Sequence, residues 1–137
     1  MRRLSLLALP ALLLALAAAD ARGQDEHPVV KLIKSKVKDP AKPFALIVEF
    51  KVKAGKEAEF EAAAKPAVAA TKKEPGCISY ELNRDPDQPG VYVMYEKFKS
   101  VAAIDEHIKA KYTQALLTTA AAVTDGDPKI KVYTVPE

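Results

Sequence analysis

Residues 44–53 read Phe44-Ala45-Leu46-Ile47-Val48-Glu49-Phe50-Lys51-Val52-Lys53. The larger apolar side chains recur at every second position, which is the side-chain period of a β-strand. A run of this kind predicts a strand with one buried face, and Gly55 ends it. This strand is the first element of a domain predicted over residues 44–137.

The residues that follow predict a helix and then a hairpin. Residues 56–73 carry apolar side chains at helical spacing. Pro66 inside this stretch is expected to kink or divide the helix, because proline lacks the N–H and clashes with the preceding turn. Residues 77–84 and 91–98 alternate like strands, and the turn-forming residues 85–90 between them predict a hairpin with a longer loop.

A second helix and a last strand complete the predicted fold. Ser100 suits the N-cap of this helix, and residues 129–135 alternate as a strand. The apolar stripe of the helix comprises Val101, Ile104, Ile108, Tyr112, Ala115, Leu116 and Thr119. The order β-α-β-β-α-β predicts a ferredoxin-like α+β fold, in which a four-stranded antiparallel sheet carries both helices on one face.

The predicted strands are apolar on both of their faces. Ile47 lies on one face of the first strand and Leu46 on the other, and residues 91–98 show the same double pattern. Such strands require cover on both sides. The helices cover one face, and a second copy of the chain would most simply cover the other. The sequence therefore predicts a homodimer.

The N-terminus has the pattern of a signal peptide. Residues 1–3 are cationic at Arg2 and Arg3, residues 4–19 form an apolar run, and small residues surround position 20. We expect residues 1–21 to be a signal peptide cleaved after Ala19 or Ala21. A retained anchor would need about 20 apolar residues, and this run has 16. The mature protein is therefore predicted to be periplasmic or secreted, without stable membrane insertion.

Residues 22–43 contain three prolines and five lysines. We expect a basic, solvated tether here, with an edge strand as the alternative. The formal charge of the full chain is +3, and acidic residues are interleaved with the lysines. That distribution lacks the clustered basic stripe of nucleic-acid-binding proteins, so no nucleic-acid partner is predicted.

Several classes of chemistry find no support in the sequence. It has no glycine-rich phosphate loop, no dinucleotide fingerprint and no cluster of residues with metal-ligand spacing. Cys77 is the only cysteine, so an internal disulfide is impossible and packing in the core is its expected role. We predict no metal site and no cofactor.

A few side chains could support proton chemistry. His107 lies on the flank of the predicted helix stripe, where an imidazole can titrate near neutral pH. Glu96 lies within an apolar strand, on the same face as Tyr92, Met94 and Phe98. A buried carboxyl group needs a partner or a raised pKa, whereas one at a cleft or an interface needs neither. Each of these residues could also be purely structural.

Three segments together resemble the antibiotic biosynthesis monooxygenase (ABM) domain family. They are Glu74-Pro75-Gly76-Cys77-Ile78-Ser79-Tyr80-Glu81-Leu82, then Tyr95-Glu96-Lys97-Phe98-Lys99-Ser100, then Ala103-Ile104 with His107. The family shows an E-P-G-C-x-x-Y-E stretch, a glutamate followed two residues later by an aromatic after a strand, and a histidine on the next helix. The resemblance covers residues 43–135. It implies a dimeric α+β barrel with a cleft between sheet and helices in each subunit.

The resemblance also implies an activity. Monooxygenase members of the family oxidise an electron-rich phenol or quinol with O₂, without metal, haem or flavin. The sequence thus predicts an exported, cofactor-independent monooxygenase for a small aromatic substrate, with His107 as proton acceptor and Glu96 orienting His107 or the substrate. The substrate-binding walls are predicted to be Tyr80, Met94, Phe98 and Tyr112. The alternatives are a non-catalytic dimeric module that binds a small ligand and a purely structural dimer.

Overall fold

The computed structural model describes residues 26–136. Its elements in chain order are α1 (Pro28–Lys36), β1 (Phe44–Lys51), α2 (Glu57–Thr71), β2 (Cys77–Arg84), β3 (Val91–Phe98), α3 (Val101–Lys109), α4 (Lys111–Val123) and β4 (Lys129–Thr134). Within the described range no helix is both long and apolar enough to cross a bilayer. The predicted signal peptide lies outside the described residues, so export stays a prediction.

The four strands form one antiparallel sheet in the order β2-β3-β1-β4. Alternate residues of β1 are buried beneath the helices, namely Phe44, Leu46, Val48 and Phe50. Their β3 partners on that face are Phe98, Glu96, Met94 and Tyr92. This topology confirms the predicted ferredoxin-like fold, and the alternation along residues 44–51 explains which face of the sheet meets the helices.

The segment predicted as a solvated tether instead contains helix α1. Pro28 occupies the first helical turn, where its missing N–H is not needed, and His27 Nδ1 accepts a hydrogen bond from the Val29 N–H at 3.3 Å. Val30 and Ile33 lie one turn apart and are 1% and 0% exposed. Apolar residues at helical spacing therefore bind this segment to the core, while its lysines face outward.

The helices differ from expectation at two places. Pro66 does not divide α2, which is continuous from Glu57 to Thr71, and it lies on the exposed side, where water can satisfy the Ala62 carbonyl. A kink at Pro66 stays a prediction. The predicted second helix is instead broken at Ala110, whose ψ of 139° is extended. After the break the buried residues lie one position later than in the predicted stripe. The residues that α4 buries are Thr113, Leu116, Ala120 and Val123.

Strand β2 contains a β-bulge that the alternation did not predict. Cys77 pairs with Phe98 while Ser79 already pairs with Lys97, so Ile78 is the additional residue and is 46% exposed. A bulge of this kind reorients the side chains on either side of it. It places Cys77 on the helix-covered face together with Tyr80, rather than on the opposite face.

The other face of the sheet has no cover within the described chain. Its half-buried apolar residues are Ala45, Ile47, Val91, Val93 and Tyr95.

We predict that a second copy covers this face, so sedimentation equilibrium at micromolar concentration should give twice the mass of one chain. Val93→Glu should yield monomers, because it places a charge in the interface, whereas Lys65→Glu on the exposed side of α2 should not. A monomeric wild type would contradict the prediction.

A second prediction concerns α1. Ile33→Ala leaves a cavity beneath a fully buried position and should lower the free energy of unfolding by about 2–5 kcal/mol. Lys31→Ala on the exposed side of the same helix should change it by less than about 0.5 kcal/mol. Urea unfolding of the two variants checks this. Equal stability of Ile33→Ala and wild type would mean that α1 does not pack on the domain.

Candidate functional site

A cavity of about 220 Å³ lies between the helix-covered face of the sheet and the helices. Its walls are mostly apolar and include Leu46, Val48, Phe50, Ile104, Leu116 and Ile130. The side chains with polar groups along it are His27, Tyr80, Glu96, His107 and Thr113. Concave apolar sites with a few convergent polar groups are the usual form of a small-molecule site.

Glu96 is the acidic group of this cavity. It lies on β3 between Leu46 of β1 and Tyr80 of β2, and its side chain is only 8% exposed. No hydrogen bond from another described residue contributes to the pKa of this carboxyl group. Burial, assisted by the negative charge of Glu74, raises the pKa of Glu96 to about 8. At neutral pH this carboxyl group is therefore mainly protonated and can donate a hydrogen bond into the cavity.

His107 is the basic group, and it is buried rather than on the flank of its helix, at 3% exposure. Its Nδ1 lies 2.9 Å from Glu74 Oε1, and the Tyr112 hydroxyl donates to the same oxygen. Burial lowers the pKa of His107, although the hydrogen bond and charge of Glu74 partly oppose this. Because an ionised carboxylate can only accept, Nδ1 of the neutral ring holds the proton and Nε2 keeps a free lone pair.

The position of Glu74 follows from how the segment after α2 packs on α3. A Cβ at Gly76 would lie 2.4 Å from Cβ of Ala103, so only glycine permits this approach. The Lys99 N–H donates to the Gly76 carbonyl at 2.9 Å, and Lys99 Nζ donates to the Pro75 carbonyl at 2.6 Å. These contacts hold the segment against α3 and place Glu74 beside His107.

Aromatic rings surround the imidazole. The rings of Tyr80 and Phe98 each lie 5.1 Å from that of His107, centroid to centroid, and the ring of Tyr112 lies 6.5 Å away. Burial raises the pKa of Tyr112 to about 12, and its hydrogen bond to Glu74 adds to the rise, so this hydroxyl stays protonated. Burial also raises the pKa of Tyr80. Neither phenol is therefore a base at neutral pH.

The structure brings together three of the predicted site residues, since Tyr80, Glu96 and His107 all line the cavity. Met94 and Phe98 are buried next to it and belong to the core rather than to the cavity lining. Tyr112 contacts Glu74 instead of the cavity. The partner of His107 is therefore Glu74, and not Glu96 as the sequence analysis allowed.

Sequence reasoning missed several residues of the site. Glu74 stood in the E-P-G-C motif without an assigned role, although a carboxylate next to a glycine-dependent contact was a usable signal. The N-cap residue His27, Val29 of α1 and Leu117 of α4 also line the cavity. Nothing in the local pattern indicated them, because their contribution depends on how α1 and the broken helix pack. Among residues 26–136 no three His, Cys, Asp or Glu side chains come close enough to hold a metal ion.

The sequence profile of antibiotic biosynthesis monooxygenases matches residues 43–118, more than half of the chain. The protein therefore belongs to this family, as the resemblance of its motifs indicated. Its fold and site define a class that is broadly monooxygenase-like or binds small molecules.

Solved structures and a curated protein are similar to this chain. A Caulobacter crescentus protein, provisionally assigned as an antibiotic biosynthesis monooxygenase, is 29% identical with a TM-score of 0.68, covering 73% of this chain and 95% of its own. A Shewanella oneidensis protein is also 29% identical, with a TM-score of 0.63 and coverage of 68% and 90%. An uncharacterised Synechocystis protein is 28% identical over 101 residues, which is 74% of this chain and 69% of the relative.

The contact with Glu74 generates a prediction. Glu74→Gln keeps a hydrogen-bond acceptor but removes the charge that favours protonated His107 and disfavours ionised Glu96. The pKa values of both His107 and Glu96 should therefore fall. Glu106→Gln, an exposed change on the same helix as His107, should leave both unchanged. NMR titration of the imidazole and carboxyl signals checks this, and unchanged values in Glu74→Gln would show that the contact does not persist in solution.

Proposed function

We propose that this protein is an exported, cofactor-independent monooxygenase that oxidises a small electron-rich phenol or quinol with O₂. The observation that supports this most directly is the pairing of two groups in one apolar cavity. Glu96 is buried in this cavity, and the neutral His107 ring, whose Nδ1–H bonds to Glu74, has a free Nε2 lone pair. At neutral pH their ordinary roles are exchanged, because the carboxyl group is the acid and the imidazole is the base.

The first step would be proton transfer from the substrate hydroxyl to His107 Nε2. Glu74 supports this transfer, because its carboxylate accepts from Nδ1–H and stabilises the imidazolium that forms. The Tyr112 hydroxyl holds the same carboxylate oxygen in place. The product of the step is a phenolate, whose ring carbons para and ortho to the oxygen are electron-rich enough to react with O₂.

Oxygen transfer would then proceed by reaction of O₂ with one of these carbons that carries a hydrogen, which in a 1,4-quinol is an ortho carbon. A C–O bond forms and gives a ring-bound peroxide, which the protonated Glu96 can stabilise by donating a hydrogen bond or its proton. Loss of the hydrogen on that carbon as a proton accompanies O–O cleavage. One oxygen atom remains in the product quinone and the other leaves as water, carrying the hydroxyl and ring protons. The substrate loses four electrons and O₂ gains four.

The alternative is a non-catalytic module that binds the same kind of ligand. The apolar character of most of the cavity wall favours this second function, because it provides shape and desolvation rather than reacting groups. The two functions share the ligand and differ in turnover. Oxygen consumption with a quinol in air distinguishes them.

The mechanism predicts a bell-shaped dependence of kcat/KM on pH. Activity should rise as His107 loses its proton, at a pH below the usual range of an imidazole because its pKa is lowered. It should fall as Glu96 ionises at a pH of about 8. Glu96→Gln should abolish the fall on the alkaline side, since the amide does not titrate, and should lower the rate at neutral pH.

His107→Gln should reduce turnover about 10²–10⁴-fold, the usual effect of removing a positioned base. Glu106→Gln is the matched control and should retain wild-type turnover. A change confined to KM in His107→Gln would restrict this residue to substrate binding. A wild type that consumes no O₂ with any quinol, while still binding quinols, would support the binding module instead.

A further inference from the structure

The residues that line the cavity fall into two groups. The larger group is buried and includes the polar side chains of Tyr80, Glu96, His107 and Thr113. The second group is half-buried and consists of His27, Val29, Leu117, Pro128 and Ile130. Side chains that contact the cavity and also reach solvent mark the place where the cavity meets the surface. We call this second group the rim.

A groove on the protein surface reaches the cavity at this rim. Its exposed residues are Pro28, Lys109 and Gln114. His27 and Ile108 line both the groove and the cavity. The shared residues indicate a route from solvent through the groove, past His27 and Ile108, to the buried side chains of the cavity.

The composition of the rim favours ligands without charge. Apart from the His27 imidazole, its side chains are apolar. The carboxylates of the adjoining groove are ion-paired, Glu26 with Lys34 and Asp105 with Lys109, the latter at 2.6 Å. An ionised ligand loses hydration among apolar side chains, and that loss costs far more than the transfer of an uncharged aromatic ring.

Most of the rim lies outside residues 43–118, which match the family profile. His27 and Val29 precede this range, and Pro128 and Ile130 follow it. The polar side chains of the buried group lie within it. The surroundings of the rim are therefore supplied largely by segments that the profile does not include.

We propose that ligands enter the cavity through this rim, and that the rim selects uncharged phenols and quinols over aromatic acids. The proposal rests on the proposed function only in that a small aromatic compound is the ligand. It applies equally to an enzyme and to a binding module. It assigns the choice of ligand to the start of α1, to α4 and to the start of β4, whereas the proton chemistry belongs to the buried group.

The first test blocks the entrance. Val29→Cys and Leu117→Cys place a thiol on the rim, in a background in which Cys77, the only native thiol, is replaced by serine. Lys65→Cys on the exposed side of α2 is the matched control. The probe is 4-fluorophenol, and fluorine NMR under nitrogen follows its exchange into the cavity. Attachment of a bulky maleimide should abolish this exchange in both rim variants and leave it intact in the control.

A smaller modification distinguishes a blocked entrance from an unfolded domain. A methylthio group attached to the same rim thiols should slow the exchange less than the maleimide does. Circular dichroism of the modified variants should match that of the unmodified protein. Unchanged exchange after modification of both rim thiols with the maleimide would overturn the proposed entrance.

The second test needs no change at Cys77. Wild type should bind 4-fluorophenol at least about 10-fold more tightly than 4-fluorobenzoate, measured by calorimetry under nitrogen. Leu117→Lys places a cation on the rim and should reduce this ratio. Leu117→Met, which conserves volume without adding charge, should not.

An unchanged ratio in Leu117→Lys would overturn the proposal, as would equal binding of the acid and the phenol by wild type or no binding of 4-fluorophenol. Binding with the expected properties, but without O₂ consumption on quinols in air, would support the entrance and refute the monooxygenase. Unchanged exchange in modified variants of a protein that does consume O₂ would refute the entrance alone. The two proposals can therefore fail separately.

Discussion

Desolvation of an acid and a base in one apolar cavity is the constraint on which the site depends. Placing Glu96 and His107 between the sheet and the helices favours the neutral form of each, because a charge loses its hydration there. Glu74 modifies this balance, since its carboxylate bonds to Nδ1 of His107 while its charge acts against ionisation of Glu96. The result is a neutral carboxylic acid and a neutral imidazole in the same cavity at physiological pH.

Several local features of the chain serve to establish that arrangement. The bulge at Ile78 sets the register of β2, so that Tyr80 lies opposite Glu96. The break at Ala110 changes the direction of the side chains of α4 relative to those of α3. Tyr112 packs against the core and its hydroxyl reaches Glu74. Gly76 permits the close approach of its segment to α3, which places Glu74 within reach of His107 and Tyr112. Each of these features positions a polar group of the site.

The sequence predicts the features that depend on neighbouring residues and misses those that depend on contacts between distant parts of the chain. Strand alternation is a local property, so it placed Glu96 on the same face as Tyr92, Met94 and Phe98 and gave the correct sheet. The bulge occurs at Ile78 and the helix break at Ala110, so neither irregular residue is a proline or a glycine. The hydropathy pattern alone therefore could not predict them. Helix α1 was missed because the prolines and lysines of residues 22–43 suggested a solvated segment. Its burial depends on contacts of Val30 and Ile33 with distant parts of the chain.

The protonation state of Glu96 is the most direct test of this account. Infrared difference spectroscopy of the wild type against Glu96→Gln isolates the carbonyl stretch of this one carboxyl group. The account predicts a protonated-carboxyl band at pH 7 that disappears with a midpoint near the pKa of about 8. A carboxylate already ionised at pH 7, titrating near the ordinary pKa of 4.5, would show that the cavity does not desolvate Glu96 and would contradict the assignment of Glu96 as an acid.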